Sequence, residues 1–245
     1  MEVLPIKNDW EFCLRGNFQF LNRLESYGCD IHFFTEQGTY EGVSDDFRFN
    51  TWFCNNIDSV EDAYQIGIYL LNLFNAAQSI WNPEFENLKI IEIYNGHRQH
   101  ISKNIPPIAR LTNSDIAHVN KEELDKYVNE TKGDEIFSLI HLSKDHDDVW
   151  NLLNGYILKP DWRGLSTICE TVKAYAENNN ISLTVDTAKE KLFFRTANDF
   201  SSIGMQARHG DKGWKPAPKP MPEIEAQEFV RKLVQEYLIK MMPDS

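Results

Sequence analysis

The stretch from Ala63 to Trp81 is the longest apolar run in this chain, and it constrains the fold more than any other feature. Each polar group in a bilayer core costs free energy, and the run contains several, so it predicts a buried helix and no membrane span. Apolar side chains lie nearly all round this helix, which indicates central burial. We therefore expect Ile66, Leu70 and Phe74 to be buried. The interrupting residues are Gln65, Gly67, Asn72, Asn75 and Gln78.

The residues around this helix have the patterns of a mostly antiparallel sheet. Asp58 and Glu61 predict a capping box at the start of the helix. Asn95-Gly96 predicts a hairpin with a type I′ turn, because both central positions of that turn need positive φ. The remaining predicted elements of this part are an early helix from Asn17 to Gly28, strands at 30–36 and 47–54, and hairpin strands at 88–94 and 97–103.

Helical patterns dominate after Pro106-Pro107. We predict an α+β fold with two parts: residues 1–110, with the sheet and the long helix, and residues 111–245, an all-helical bundle. The two parts are also compatible with one shared core. A stiff, proline-rich linker is predicted to precede the last helix, for which Pro222 suits the first helical position. The predicted helices span 120–130, 134–142, 145–158, 160–178, 186–208 and 223–242.

Charge and cysteine usage narrow the class of protein. The formal net charge of −12 disfavours nucleic-acid binding over the whole surface, because Lys and Arg supply most of that affinity. The four cysteines have no C-x-x-C spacing, so we expect free thiols, no disulfide and a cytoplasmic protein. The N-terminus has no apolar signal-peptide region, and no membrane association is expected. The cysteines are Cys13, Cys29, Cys54 and Cys169.

Two groups of residues suggest metal chemistry, but neither has a metal-site pattern. His97 and His100 lie three apart on a predicted strand and therefore point to opposite faces. The acidic run 144–148 lacks the alternating oxygens and glycine of a calcium loop and is explained by a helix start. We therefore expect no metal and no cofactor. Carboxylates at strand ends would suit a metal-dependent nuclease or ordinary turns: Glu36, Glu41, Asp45 and Asp46.

The segment from Arg195 to Gly210 has the pattern of a candidate site. On one continuous helix, a polar stripe would run along a single face, serving as a solvated face, a buried hydrogen-bond network or an active site. The candidate catalytic residues are Arg195, Asn198, Arg208 and His209. At 1.5 Å per residue, Arg195 and His209 would lie about 21 Å apart on a straight helix. The residues of the stripe are Arg195, Asn198, Ser202, Gln206 and His209.

Residues 145–242 resemble the HEPN-type helical domains of prokaryotic defence and toxin systems. The resemblance rests on Ala-Arg-His-Gly at 207–210, the following proline-rich linker, the last amphipathic helix, and the upstream pattern Trp162-x-x-Leu165-x-x-Ile168-x-Glu170. Active members have an Arg four to six residues from a His, and this chain lacks an Arg at that spacing before His209. The resemblance therefore implies a helical domain of this type whose ribonuclease motif is incomplete.

Two functional hypotheses follow. The first is an interaction or sensing component of a bacterial stress or phage-defence system, with a protein partner docking on the C-terminal helix 223–242 through Phe229, Leu233 and Tyr237. A homo-oligomer is compatible with it. The second is a HEPN-like ribonuclease or nucleotide-acting enzyme that uses Arg195, Arg208 and His209. We expect Arg208 and His209 to be structural, at a helix end capped by Gly210.

Overall fold

A five-stranded antiparallel sheet forms the N-terminal part of the chain in the computed structural model. The structure describes residues 10–17, 21, 30–36, 46–95, 98–99, 134–157, 160–213 and 218–242. The strand order is β2-β3-β1-β4-β5, and every neighbouring pair is antiparallel. The strands are β1 (Trp10–Arg15), β2 (His32–Glu36), β3 (Asp46–Asn50), β4 (Lys89–Asn95) and β5 (Arg98–Gln99).

The chain divides into two compact units, residues 1–147 and residues 148–244. The first contains the sheet and helices α1 (Val60–Trp81) and α2 (Glu135–Leu142). The helices that follow are α3 (Asp147–Tyr156), α4 (Trp162–Asn178), α5 (Thr187–Ala197), α6 (Phe200–Ile203) and α7 (Glu223–Met241). The predicted α+β class is confirmed, with an antiparallel sheet, a long buried helix and a helical C-terminal part. The predicted boundary at 110 lies outside the described residues.

Helix α1 occupies the predicted position, and its start differs from the prediction by one residue. Ser59 is the N-cap, and its side chain accepts a hydrogen bond from the amide of Asp62. The capping box predicted at Asp58 and Glu61 is therefore wrong, because the serine hydroxyl one position later reaches the free amide. Ile66, Leu70 and Phe74 are buried as predicted.

The close approach of α1 to the sheet depends on a glycine. A Cβ atom added at Gly67 would lie 2.4 Å from Cε1 of Phe12 in β1. Phe12 itself is fully buried and stacks on Phe49 of β3, with ring centroids 4.7 Å apart. The apolar layer continues across α1 to α2, where Phe74 and Phe137 pack with centroids 6.1 Å apart.

A buried asparagine fixes α1 to the start of β4. The Asn75 amide donates to the Leu88 carbonyl and accepts from the Leu88 amide, both at 2.9 Å. These two bonds satisfy backbone groups that burial would otherwise leave unpaired. The polar interruption at Asn75 therefore positions the helix on the sheet.

The predicted hairpin is present, but its register differs from the prediction. Tyr94 pairs with Arg98 and Ile93 with Gln99. A two-residue turn at Asn95-Gly96 would instead pair Tyr94 with position 97. The predicted type I′ turn is therefore wrong in register, because Asn95 belongs to β4 and pairs with Trp10 of β1.

In the second unit, α4 and α7 pack against each other around an aromatic core. Helix α4, predicted at 160–178, begins at Trp162, and Asp161 caps it with its side chain accepting from the Gly164 amide. The helix ends at Asn178 as predicted, and Asn180 follows it at φ 55°. The Phe193 ring lies between Trp162 and Phe229, with centroids at 5.9 Å and 5.5 Å.

The single helix predicted for 186–208 is wrong. Helix α5 ends at Ala197, and Asp199 then caps the short helix α6 by accepting from the Ser201 amide. Gly204 follows at φ 59° and ψ −134°, a region essentially restricted to glycine, so the helix cannot continue. Arg208 and His209 therefore do not end a helix. Gly210 does not have a positive φ. Among the described residues, the glycines with positive φ are Gly204 and Gly213.

Helix α7 begins as predicted near Pro222, which serves as the N-cap and not as the first helical residue. Phe229, Leu233 and Tyr237 are buried. Ile224, in the first turn of the same helix, is 77% exposed and lies off this buried face. No described helix has the length and apolar character needed to cross a membrane.

Some predicted elements lie outside the described residues. These are the helix at 120–130, the pair His97 and His100, and the early helix 17–28 except for Asn17 and Leu21, of which Leu21 is helical and buried. Cys13, Cys54 and Cys169 are free and buried, and burial raises the pKa of each, to about 11 for Cys13 and about 12 for Cys169. Cys29 is outside the described residues, so the expected absence of a disulfide stays a prediction.

Candidate functional site

The break after α5 folds the segment predicted as a site back on itself. The Arg208 amide donates to the Ala197 carbonyl at 2.8 Å, which places residue 208 beside the end of α5. The spacing of about 21 Å between Arg195 and His209, deduced for a straight helix, is therefore wrong. The structure brings Asn198 and Arg208 close in space, although ten residues separate them in the chain.

Two side chains of α4 hold this folded segment. Arg163 donates from Nη2 to the Met205 and Ala207 carbonyls at 3.2 Å and 3.3 Å. Glu170 accepts from Nη2 of Arg208, with the shortest distance 2.9 Å. These contacts give Arg163 and Arg208 structural partners. An Arg208 bound to a carboxylate would have to leave it before binding a phosphate.

Near the break, the side chains of Ser201 and Ser202 donate hydrogen bonds to the carboxylate of Asp199. Asp199 is 2% exposed and accepts from the Ser201 amide and hydroxyl and from the Ser202 hydroxyl. Within the described residues, the buried Asn198 Oδ1 has no hydrogen-bond partner. Arg195 is exposed, and both Arg195 and His209 have interaction partners. This arrangement explains the new helix start, and it brings together only part of the predicted catalytic set.

A second region, which the sequence did not single out, forms a cleft of about 580 Å³ in the second unit. We call it the α4–α5 cleft. It is open to solvent, and apolar side chains form much of its lining, as ligand sites require. Its lining residues are Glu170, Lys173, Ala174, Ala176, Glu177, Ile181, Leu183, Val185 and Phe194.

The connection between α4 and α5 supplies the apolar wall of this cleft. We call residues 181–185 the edge segment. Its burial alternates residue by residue: Ile181, Leu183 and Val185 are half-buried and line the cleft, whereas Ser182 and Thr184 are exposed. Period-two alternation is the pattern of an extended strand with one covered face.

Helix α7 holds the other side of the edge segment. The Ser182 carbonyl accepts from Lys240 Nζ at 2.6 Å, and the Thr184 amide donates to Glu236 at 2.9 Å. Burial acts to raise the pKa of Glu236, but the hydrogen bonds from Lys240 and Thr184 lower it, so the net direction is downward. These contacts hold the edge segment against α7 and do not involve the backbone N–H or C=O group of Leu183.

The polar rim of the cleft carries an excess of negative charge. Lys173 pairs with Glu190 of α5, and Glu170 pairs with Arg208. Glu177 is exposed, and no basic group forms an ion pair with it within the described residues. The rim therefore favours a ligand with a positive group next to apolar surface.

The other chemical candidates are the carboxylates and histidines considered for metal chemistry. Glu36 and Asp46 face each other across β2 and β3, while Glu41 and Asp45 are outside that part of the chain. No cluster of His, Cys, Asp and Glu suited to a metal occurs in the described ranges.

The first unit also contains a buried ion pair that the sequence patterns did not predict. Lys144 Nζ lies 2.8 Å from Asp30 Oδ1, and both side chains are almost fully buried. His141 Nδ1 lies 3.6 Å from Asp30 Oδ2, which is too long for a hydrogen bond. Burial acts to raise the pKa of Asp30, but Lys144 and His141 outweigh it and lower that pKa to about 2.

The sequence matches no family model, and comparisons with curated proteins and with solved structures find no match either. The chemistry of the described residues therefore carries the functional argument. The one local pattern that indicates the cleft in the sequence is Ile-Ser-Leu-Thr-Val at 181–185, a strand-like alternation between two helices.

Proposed function

We propose that this chain is a protein-interaction module that binds a polypeptide partner at the α4–α5 cleft. The observation that carries the proposal is the cleft itself, with the alternating side chains Ile181, Leu183 and Val185 on one wall and Phe194 on another. Clefts of this size, apolar with a few polar groups at the rim, are the usual form of ligand sites in proteins, and apolar grooves recur among peptide-binding sites.

The binding surface proposed here differs from the one expected on the last helix. Phe229, Leu233 and Tyr237 of α7 are buried in the second unit, so a partner could reach them only if that unit opened. The cleft is open already. A protein partner remains part of the proposal, and its docking site moves from the buried face of α7 to the cleft.

The biological setting that we propose is a bacterial stress or phage-defence system, in an interaction or sensing role. Its support is the sequence resemblance of residues 145–242 to HEPN-type domains. The ribonuclease alternative would need Arg208 to bind phosphate, and Arg208 is paired with Glu170. The net charge of −12 also opposes nucleic-acid binding.

Selection from a displayed library of random peptides tests the proposal. The full chain is immobilised, and the dissociation constants of enriched peptides are measured for the wild type, Leu183→Asp and Ile224→Asp. Both substitutions place a carboxylate on an apolar residue of the second unit, and only Leu183 lines the cleft. Circular dichroism checks that each variant is folded.

We expect the enriched peptides to bind the wild type and Ile224→Asp equally and Leu183→Asp at least tenfold more weakly. Equal binding to all three proteins, or the enrichment of no peptide, would contradict the proposed function. Cleavage of a model RNA by the wild type, lost in Arg208→Ala at unchanged stability, would favour the ribonuclease instead.

A further inference from the structure

The backbone of the edge segment has one occupied side and one open side. In an extended chain, the N–H and C=O groups of successive residues point in opposite directions. The Ser182 carbonyl and the Thr184 amide both bond to α7. The N–H and C=O of Leu183, which lies between them, therefore point away from that helix.

The open side lacks partners in the described part of the chain. No hydrogen bond reaches the amide or the carbonyl of Leu183 there. The same holds for the amide of Val185. A row of unpaired backbone groups beside an apolar face is the template on which a further β-strand can pair.

The charge at the rim of the cleft favours some partner strands over others. Glu177 is exposed and lines the cleft beside the edge segment, and the side chain of Glu170 is 47% exposed. A basic side chain on the incoming strand would meet Glu177, whereas an acidic one would be repelled, as it would be by the chain's net charge of −12.

We infer that the edge segment binds an extended polypeptide by β-strand addition, with apolar side chains of the partner in the cleft and a basic side chain facing Glu177. The inference rests on the proposed function and specifies its ligand. Backbone pairing with Leu183 supplies the affinity, and the alternating apolar and basic side chains supply the specificity.

A defined peptide tests this mode of binding. The probe is an acetylated, amidated hexapeptide of alternating valine and lysine, titrated calorimetrically into the full chain. Two N-methylated forms are compared, one methylated on the three valine amides and the other on the three lysine amides. Because these two sets of amides lie on opposite edges of an extended peptide, only one set can pair with Leu183.

We expect one methylated form to bind at least tenfold more weakly than the probe and the other to bind within threefold of it. Amide hydrogen exchange at Leu183 should slow when the probe binds. Glu177→Lys should weaken binding at least tenfold, whereas Glu86→Lys, the same charge change at an exposed site in the first unit, should leave it unchanged.

Other results would overturn the inference. Equal binding by both methylated forms, or loss of binding by both, contradicts one-sided strand addition. Failure of the probe to bind contradicts the inferred ligand chemistry. In each case the proposed function stands if library peptides still lose affinity on Leu183→Asp, and it falls with the inference if they do not.

Discussion

The Arg208 guanidinium and the Glu170 carboxylate form an ion pair with a shortest distance of 2.9 Å, and Glu170 also lines the α4–α5 cleft. The pair therefore joins the segment that follows α6 to the rim of the cleft. Their side chains are 34% and 47% exposed, so water screens the pair and its contribution to stability is small.

We predict that Arg208→Ala lowers the free energy of unfolding by about 0.5–1 kcal/mol, as expected for an exposed ion pair. This is less than the 2–5 kcal/mol typical of a buried arginine. A double-mutant cycle with Glu170→Gln, followed by urea denaturation, measures the coupling between the two side chains. Additive effects of the two substitutions would show that the pair contributes nothing.

The buried pair in the first unit should matter more. Lys144→Met leaves the Asp30 carboxylate buried and without its closest cation, so we predict a loss of about 3–5 kcal/mol. The double substitution Asp30→Leu with Lys144→Met should recover much of that loss, because it removes both charges. Equal stability of Lys144→Met and the wild type in urea denaturation would show that the buried ion pair does not stabilise the protein.

The same pair predicts a pH dependence. The pKa of Asp30 falls from 3.8 to about 2 on folding, so its contribution is complete above about pH 4 and is lost as the pH falls towards 2. A shift of this size corresponds to about 2 kcal/mol. Relative to the double variant, the wild type should lose unfolding free energy as the pH falls over this window, and a pH-independent difference between the two would exclude the linkage.

At Gly67 we predict that Gly67→Ala is destabilising, although alanine favours helices. The added methyl group would meet the Phe12 ring at 2.4 Å, and that ring is held by Phe49. Overpacking of this kind costs about 1–3 kcal/mol, more than the helix propensity gained. Thermal unfolding measures the effect, with Gly210→Ala as a control, since a Cβ there meets nothing within 4 Å. A raised melting temperature for Gly67→Ala would contradict the close approach.

Local patterns predicted the helices well where tertiary contacts only reinforce them. Helix α1 and helix α4 follow directly from the sequence, each ending at the predicted residue. The break at Asn198 could not be seen in the sequence, because the apolar residues before and after it continue one helical period. The cap from Asp199 starts a new helix there, and the backbone conformation of Gly204 ends that helix. The pairing of Asp30 with Lys144 could not be predicted, since 114 residues separate them.

For the candidate site, the sequence patterns indicated charged residues and did not indicate the apolar wall of the α4–α5 cleft. The alternation at 181–185 is visible in the sequence, but a strand without a sheet gives no indication of function. Only the packing of α4, α5 and α7 around this segment gives it a covered face and an open edge.

Methyl NMR of the full chain with a library-selected peptide tests the central claim most directly, because it locates the binding surface without any substitution. We predict chemical-shift changes at the methyl groups of Ile181, Leu183 and Val185, with Ile224 and Ile239 on the exposed face of α7 unchanged. Changes confined to Ile224 and Ile239 would place the partner on the last helix and contradict binding at the α4–α5 cleft.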